Sequence, residues 1–161
     1  MVTHISGSVV VDCTSGEAAL HLGDFFDAHA DPDGADGARL TLCAPVGDAT
    51  LSRDVVAELT RSHAYPGHRS MHVSWRPKGG GPYPHFAGTL SLGDEPAGTR
   101  ITIDGAYEPP GGVAGAAFDV VLGRRMASAS LDALLATLKA AIESARAAAT
   151  ASAAAYLPSY E

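Results

Sequence analysis

The stretch between residues 85 and 127 constrains the fold of this chain most strongly. Two segments, residues 85–92 and 99–107, place apolar side chains at every second position, as strands with one buried face do. A turn rich in proline and glycine follows at residues 109–112. From about residue 113 to residue 148 the apolar residues recur with the period of an α-helix. This stretch therefore predicts two neighbouring antiparallel strands, a turn and one long helix.

The residues before this stretch predict more sheet and one further helix. A first strand is expected over residues 4–12. Residues 16–29 are predicted to form an amphipathic helix, with Thr14 or Ser15 as its N-cap and Glu17 in the place of a capping-box carboxylate. The strands with alternating apolar side chains are predicted over residues 39–44, 49–61, 69–76, 85–92 and 99–107. Such strands are typical of an antiparallel sheet that buries one face and exposes the other.

The size and charge of the chain limit its organisation and its partners. Its 161 residues, 46% of them hydrophobic and 18% charged, are enough for one globular domain with its own core. We assign residues 1–148 to that domain and residues 149–161 to an Ala-rich C-terminal tail. A net charge of -7 argues against nucleic acid and anionic membrane surfaces as partners, because both attract clustered Lys and Arg.

The cysteines and the N-terminus favour a cytoplasmic protein. Cys13 and Cys43 are far apart and lack the CxxC spacing of a zinc site, so we expect both to be small buried residues. The N-terminus has neither the basic nor the apolar segment of a signal peptide. No apolar run approaches the ~18 residues that a membrane span requires. We therefore expect no stable membrane insertion.

The central residues resemble a known superfamily. Residues 84–90 (Pro-His-Phe-Ala-Gly-Thr-Leu), together with residues 99–111 and 118–127, look like the START-like, or SRPBCC, superfamily, which includes polyketide cyclases and coenzyme-Q-binding proteins. The predicted order of elements is similar over most of the chain. The resemblance implies an α+β helix-grip fold, in which a curved antiparallel sheet of about six to seven strands wraps around the long C-terminal helix. One difference is that a single shorter helix and an acidic loop are predicted where the superfamily usually has two short helices.

The resemblance also implies a deep, mostly apolar cavity between the sheet and the C-terminal helix. Ligand sites of this kind combine apolar walls with a few polar groups. The candidate ligand-binding residues are Arg53, Trp75, Phe86, Ile103, Tyr107, Phe118, Leu122 and Met126. Arg53 and the Tyr107 hydroxyl are the polar candidates, although Arg53 could equally be a surface residue at a strand end and each apolar residue could be ordinary core.

Three functions are compatible with this fold, because a fold alone does not determine activity. The one we favour is binding of an apolar or amphipathic small molecule, such as a lipid, a quinone or a polyketide-like aromatic. The second is an enzyme of the cyclase or aromatase kind, in which Arg53, Tyr107 or Asp119 moves protons. The third is an interaction domain with a filled cavity that acts through protein partners or as a homodimer.

Other clusters give weaker signals. Candidate metal-binding imidazoles occur at His63, His68, His72 and His85. His72 is predicted to face water, however, and no carboxylate stands at a matching spacing. The loop at residues 31–37 alternates aspartates but lacks the glutamate of a calcium loop, so we expect a solvated turn.

The sequence contains neither a nucleophile motif nor a nucleotide-binding glycine pattern. We predict no metal site and no cofactor.

Overall fold

A six-stranded antiparallel sheet and two helices make up the described part of the chain. The computed structural model describes residues 2–34, 36–46, 48–61, 69–81, 83–109 and 120–156. The strands are β1 (Thr3–Val11), β2 (Ala38–Val46), β3 (Ala49–Arg61), β4 (Arg69–Pro77), β5 (His85–Glu95) and β6 (Gly98–Glu108). The helices are α1 (Ser15–Ala28), between β1 and β2, and α2 (Val120–Ala155), after β6. The predicted α+β class is confirmed.

The sheet is a meander to which the first strand is added at one edge. Strands β2 to β6 are neighbours in space as they are in sequence, and β1 pairs with β6, so the order is β1-β6-β5-β4-β3-β2. Every pair is antiparallel. The two edge strands are therefore β1 and β2, which are separated in the chain only by α1 and the acidic loop.

Alternation along the strands separates an inner apolar face from an outer polar one. Along β6, Ile103 and Tyr107 are buried, whereas Asp104 is exposed. The register continues the inner face across the sheet, since Ile103 pairs with Leu90 and Leu90 pairs with Met71. These three side chains are buried as well. The predicted alternation is confirmed, and the inner face forms the core.

The two cysteines differ in exposure. Cys13 is buried, as predicted, and its burial raises the pKa of its thiol. Cys43 is exposed, so the expectation that it is buried is wrong. The reason is its place in β2, where Leu42 and Ala44 on either side of it are the residues that face inward and are buried.

Helix α1 begins at the predicted capping box. The Thr14 hydroxyl accepts a hydrogen bond from the Glu17 backbone N–H at 3.2 Å, and the Glu17 carboxylate accepts one from the Thr14 backbone N–H at 2.9 Å. The bond from the Thr14 backbone also lowers the pKa of Glu17. Ala18, Leu22 and Phe26, each one turn after the last, are the buried residues of this helix. The cap thus satisfies amides that a helix start leaves unpaired, while the apolar stripe packs on the core.

Helix α2 lies along β1 and also contacts the opposite edge strand, β2. A Cβ on Gly7 would lie 3.0 Å from Leu135 Cδ1, so the absence of a side chain there lets the helix approach the strand closely. Further along, Lys139 Nζ donates to the Val10 carbonyl at 2.9 Å. Because one helix touches both edges, the sheet is curled into a half-barrel with α2 across its open side.

The last part of α2 continues past the sheet. Ile142 is the last buried residue of the helix, and all of residues 147–156 are exposed. Arg146 pairs with Asp12 at 3.2 Å close to the point where contact ends. The helix therefore runs without interruption into the segment that we assigned to the tail. Although α2 has 36 residues, neither described helix combines the length and apolar character that a membrane crossing needs.

Ion pairs of one lysine connect the acidic loop, residues 31–37, to the turn between β4 and β5. Lys78 Nζ lies 2.6 Å from Asp31 Oδ1 and 2.5 Å from Asp33 Oδ2. The Asp31 side chain has no exposed surface, so its charge is compensated by the ammonium group rather than by water. The hydrogen bond with Lys78 holds the pKa of Asp31 below its usual value and raises the pKa of Lys78. The expectation of a solvated turn is therefore wrong for Asp31.

Replacing Asp31 with Asn should destabilise the protein most strongly near neutral pH. Because the folded-state pKa is lowered, the carboxylate stabilises the fold above its ordinary pKa of 3.8, and this contribution is lost as the pH falls through the lower folded-state value. We expect the urea midpoints of wild type and Asp31→Asn to differ at pH 7 and to converge as the pH falls through the lowered folded-state pKa of Asp31. Asp33→Asn, at a position that is 68% exposed, should have a smaller effect. If the difference in urea midpoint between wild type and Asp31→Asn does not change with pH, this explanation is wrong.

Candidate ligand-binding site

Three aromatic residues stand side by side on the inner face of the sheet. The register pairs Trp75 with Phe86 and Phe86 with Tyr107, so β4, β5 and β6 present their rings at the same level. All three are buried, with exposed fractions of 2%, 3% and 2%. Cross-strand aromatic neighbours of this kind bury large apolar areas and attract one another. We call Trp75, Phe86 and Tyr107 the aromatic row.

Two glycines make room for the ring of Phe86. Gly88 and Gly105 are partners across β5 and β6, and a Cβ on either would lie 2.8 or 2.7 Å from Phe86 Cζ. The ring therefore lies over a part of the inner face that carries no side chains. Trp75 stacks on Phe86, with ring centroids 4.2 Å apart and planes inclined by 15°. The two rings form one face-to-face apolar stack next to the backbone of the sheet, and this stack is the apolar wall of the candidate site.

The start of α2 approaches the aromatic row at Tyr107. Gly123 is buried, and a Cβ on it would lie 3.5 Å from the Tyr107 hydroxyl oxygen. Met126, nearly one turn later, is 2% exposed, and Leu122 is half-buried. The surfaces that meet here are aromatic rings, aliphatic side chains and glycine backbone. This is the type of lining that small-molecule sites have.

A buried pair of hydroxyl groups connects α2 to the segment before β5. The Tyr83 hydroxyl donates to Ser130 Oγ, and Ser130 Oγ in turn donates to the Met126 carbonyl at 2.8 Å. Neither Tyr83 nor Ser130 has exposed surface. Burial raises the pKa of the Tyr83 hydroxyl, so this group stays protonated at neutral pH. Tyr83 is thus a packed aromatic that holds the helix by one hydrogen bond.

Arg53 is half-buried at one end of the inner face, away from the aromatic row. It lies four residues before Ala57, the strand neighbour of Trp75, which is about 13 Å along an extended strand. Its guanidinium donates to the Gly80 carbonyl at 2.5 Å. A Cβ on Gly81, whose φ is 105°, would lie 2.6 Å from Arg53 Nη2. Arg53 therefore stabilises the turn between β4 and β5 through this hydrogen bond.

The other candidate ligand-binding residues are only partly described. Ile103 is buried on β6, at the inner position beyond Gly105. Phe118, and Asp119 of the enzyme hypothesis, lie outside the described residues. The structure therefore brings Trp75, Phe86, Tyr107 and the start of α2 together. That these residues bind a ligand, and that a cavity separates sheet from helix, stays a prediction.

The remaining candidate sites are the predicted surface histidines and two surface depressions. His72 is exposed on the outer face, as predicted, and so is His85, while His63 and His68 lie outside the described residues. Within the described ranges, no group of three or more His, Cys, Asp or Glu side chains could hold a metal. A depression of about 360 Å³ is lined by outward-facing residues that include Ser74, Arg76, His85 and Ala87, and also by Trp75 and Phe86 of the aromatic row. A second, of about 670 Å³, lies beside the end of α2 at Asp12, Arg146 and Ala151.

One buried polar atom of the aromatic row has no hydrogen-bond partner in the described part of the chain. The Trp75 Nε1–H is buried and makes no hydrogen bond to any described residue. Buried indole N–H groups usually find an acceptor, and leaving such a donor unpaired costs about 1–3 kcal/mol. The sequence carries no signal of this feature. The glycines beneath Phe86 do carry one, since glycine inside a strand marks a close approach of neighbouring groups.

The curled sheet held by a C-terminal helix defines a helix-grip fold. No family model and no curated protein matches the chain. Among solved structures, TTHA0849 from Thermus thermophilus is similar with a TM-score of 0.56 at 12% identity, over 89% of this chain and 99% of that one. The KanY protein, solved by NMR, is similar with a TM-score of 0.50 at 11% identity over the same shares. At such identities the similarity shows the fold alone.

Gly123→Ala should raise the free energy of unfolding by about 0.5–1 kcal/mol, because alanine has a smaller entropic cost in a helix than glycine. The new Cβ would meet the Tyr107 hydroxyl at an ordinary contact distance of 3.5 Å. Gly23→Ala in α1, whose Cβ would meet nothing within 4 Å, is the matched control and should stabilise by a similar amount. Urea unfolding measures both. A destabilised Gly123→Ala beside a stabilised Gly23→Ala would show that α2 lies closer to Tyr107 than described.

Ser130→Ala should be more destabilising than Tyr83→Phe. Removing the serine leaves the buried Tyr83 hydroxyl without its acceptor, at about 1–3 kcal/mol, whereas removing the tyrosine hydroxyl leaves Ser130 bonded to Met126 and costs about 1 kcal/mol. The double variant should recover part of the Ser130→Ala loss, because both polar groups are then absent. Chemical denaturation of the three variants tests this order. Equal losses in the single variants would contradict the donor and acceptor roles of the two hydroxyl groups.

Proposed function

We propose that this protein binds an apolar or amphipathic small molecule between the aromatic row and α2. The observation that supports this is the stack of Trp75 and Phe86, which lies over glycine backbone. Its neighbour in the row, Tyr107, is the residue that α2 approaches at Gly123. Both surfaces are apolar. Removing apolar ligand surface from water at about 25 cal/mol per Å² would supply the affinity.

The fold supports the same proposal in a more general way. Helix-grip proteins often bind hydrophobic ligands, although fold similarity alone does not specify one. We further propose that the chain is a START-like, or SRPBCC, protein and that its ligand is a lipid, a quinone or a polyketide-like aromatic. Stacked aromatic rings offer apolar surface against which a planar or chain-like molecule can pack.

Binding fits the described polar groups better than proton transfer does. The Tyr83 hydroxyl has a raised pKa and donates its proton to Ser130, so it does not act as a base at neutral pH. The guanidinium of Arg53, the candidate proton-moving cation, is engaged with the Gly80 carbonyl. We therefore place ligand binding first and a cyclase-like activity second.

A fluorescence titration tests the proposal directly, because Trp75 is the only tryptophan in the chain. The delipidated protein would be titrated with fatty acids, quinones and flat polyphenols. Saturable quenching or a blue shift is expected with one of these classes. Organic extraction of the purified protein, followed by mass spectrometry, should recover a molecule of the same class.

A matched pair of variants locates the binding. Gly123→Leu directs a side chain toward the Tyr107 hydroxyl and should weaken binding by about tenfold or more. Gly23→Leu adds the same side chain to α1, where its Cβ meets nothing within 4 Å, and should leave the affinity unchanged. Circular dichroism would confirm that both variants are folded. A flat titration with every class, together with an empty extract, would refute the proposal, and equal weakening by both variants would place the ligand elsewhere.

A further inference from the structure

The unpaired indole N–H of Trp75 contrasts with the other buried polar groups of the described chain. Thr99 Oγ1 donates to the Cys13 carbonyl at 2.8 Å, and Asp31 is paired with Lys78. The hydroxyl groups of Tyr83 and Ser130 are bonded to each other. Within the ranges described above, Trp75 Nε1 is the one buried side-chain nitrogen or oxygen that lacks a partner. Native proteins satisfy such groups, so this exception calls for an acceptor that the described residues do not supply.

The surroundings of Trp75 indicate what kind of acceptor fits. The inner-face neighbours of Trp75 across the sheet are Ala57 and Phe86, whose side chains hold no oxygen. Val73, on the same strand and face, is also apolar and fully buried. An acceptor in these surroundings would have to reach the wall from outside the sheet. The ring stack holds the indole in one orientation, so the N–H is already positioned for it.

The surroundings of Trp75 also indicate whether the acceptor is charged or neutral. A buried carboxylate without a cation is strongly disfavoured, and a neutral carbonyl oxygen is not. Two cations with described side chains stand at inward strand positions, and neither is beside Trp75. Arg53 is engaged with Gly80 and lies about 13 Å along β3 from the position opposite Trp75. Arg69 is six residues before Trp75, about 20 Å along β4. A neutral acceptor therefore suits this N–H better than a free acid.

We infer that Trp75 Nε1 orients the ligand by donating a hydrogen bond to a neutral carbonyl oxygen on an otherwise apolar molecule. The ligand class is thus a ketone, a quinone or an ester, and not a free fatty acid. This inference rests on the proposed function, and it adds the polar contact that determines which end of the molecule meets the aromatic row. Trp75 acts here as a positioning group for the bound molecule.

Matched ligand pairs that differ only in the carbonyl test the inference. The probes are 9-fluorenone against fluorene and 2-undecanone against undecane, with fluorene-9-carboxylate as the charged comparator. Equilibrium dialysis should show that at least one ketone binds about tenfold more tightly than its hydrocarbon, the gain expected of one buried hydrogen bond, and that the carboxylate binds more weakly than the ketone. In Trp75→Phe the ketone preference should fall to about twofold, while the hydrocarbon affinity changes by less than about threefold.

The single indole signal of the ¹⁵N-labelled wild-type protein gives a second readout that needs no variant. Binding of the ketone should shift the indole proton downfield, and binding of the hydrocarbon should not. If ketone and hydrocarbon bind equally, or if the ketone binds while the indole proton does not move downfield, the inference is wrong and the proposed function stands. Binding of the ketone without a downfield shift is the result expected if a fixed internal water already accepts the hydrogen bond from Trp75 Nε1.

If neither ketone binds while other members of the ligand panel do, the inference is also wrong. If no compound of any class binds, the proposed function fails with it.

Discussion

The contact of one helix with both edge strands is the constraint on which the rest of this structure depends. An antiparallel sheet with two free edges presents unpaired backbone groups that invite association with other chains. Here β1 and β2 are the edges, and α2 packs against both. The strands between them must then bow away from the helix, because the edges are drawn toward one axis. The curvature of the sheet and the position of the core follow from this arrangement.

Small residues decide how closely the layers approach. Gly7 lets α2 lie against β1, and the Gly88–Gly105 pair lets the ring of Phe86 lie against the sheet. At Gly123, by contrast, an added Cβ would meet the Tyr107 hydroxyl at the ordinary contact distance of 3.5 Å. Gly7, Gly88 and Gly105 are the positions where a Cβ would be crowded by a neighbouring element. The aromatic row is therefore shaped as much by the glycines around it as by its own rings.

Much of the fold could be predicted from the sequence because its signals are local. Alternation along a strand is visible residue by residue, and the predicted strand over residues 49–61 coincides with β3. The capping box of Thr14 and Glu17 spans a single turn and is equally visible in the sequence. The inward positions of Trp75, Phe86 and Tyr107 follow from the same alternation. The register that places them side by side needed the structure.

The features that could not be predicted depend on residues far apart in the chain. Asp31 and Lys78 are both ordinary surface residues by type, and only the folded chain brings their charges together. Arg53 occupies an inward strand position, which predicts a pocket residue, but its bond to the Gly80 carbonyl depends on the turn between β4 and β5. That Trp75 Nε1 has no partner among the described residues is a property of its whole environment, and no residue type encodes it.

The length of α2 gives the two ends of one helix different dynamics. Its 36 residues span about 54 Å, while the nine residues of β1 span about 30 Å. Residues 147–155 therefore form backbone hydrogen bonds without any tertiary packing to protect them. Their amide protons would exchange by local fraying, whereas those around Leu134 and Leu138 would exchange only when the domain opens. We therefore expect one helix with two cooperative units, an outer one that unwinds and re-forms and an inner one that stays packed on the sheet.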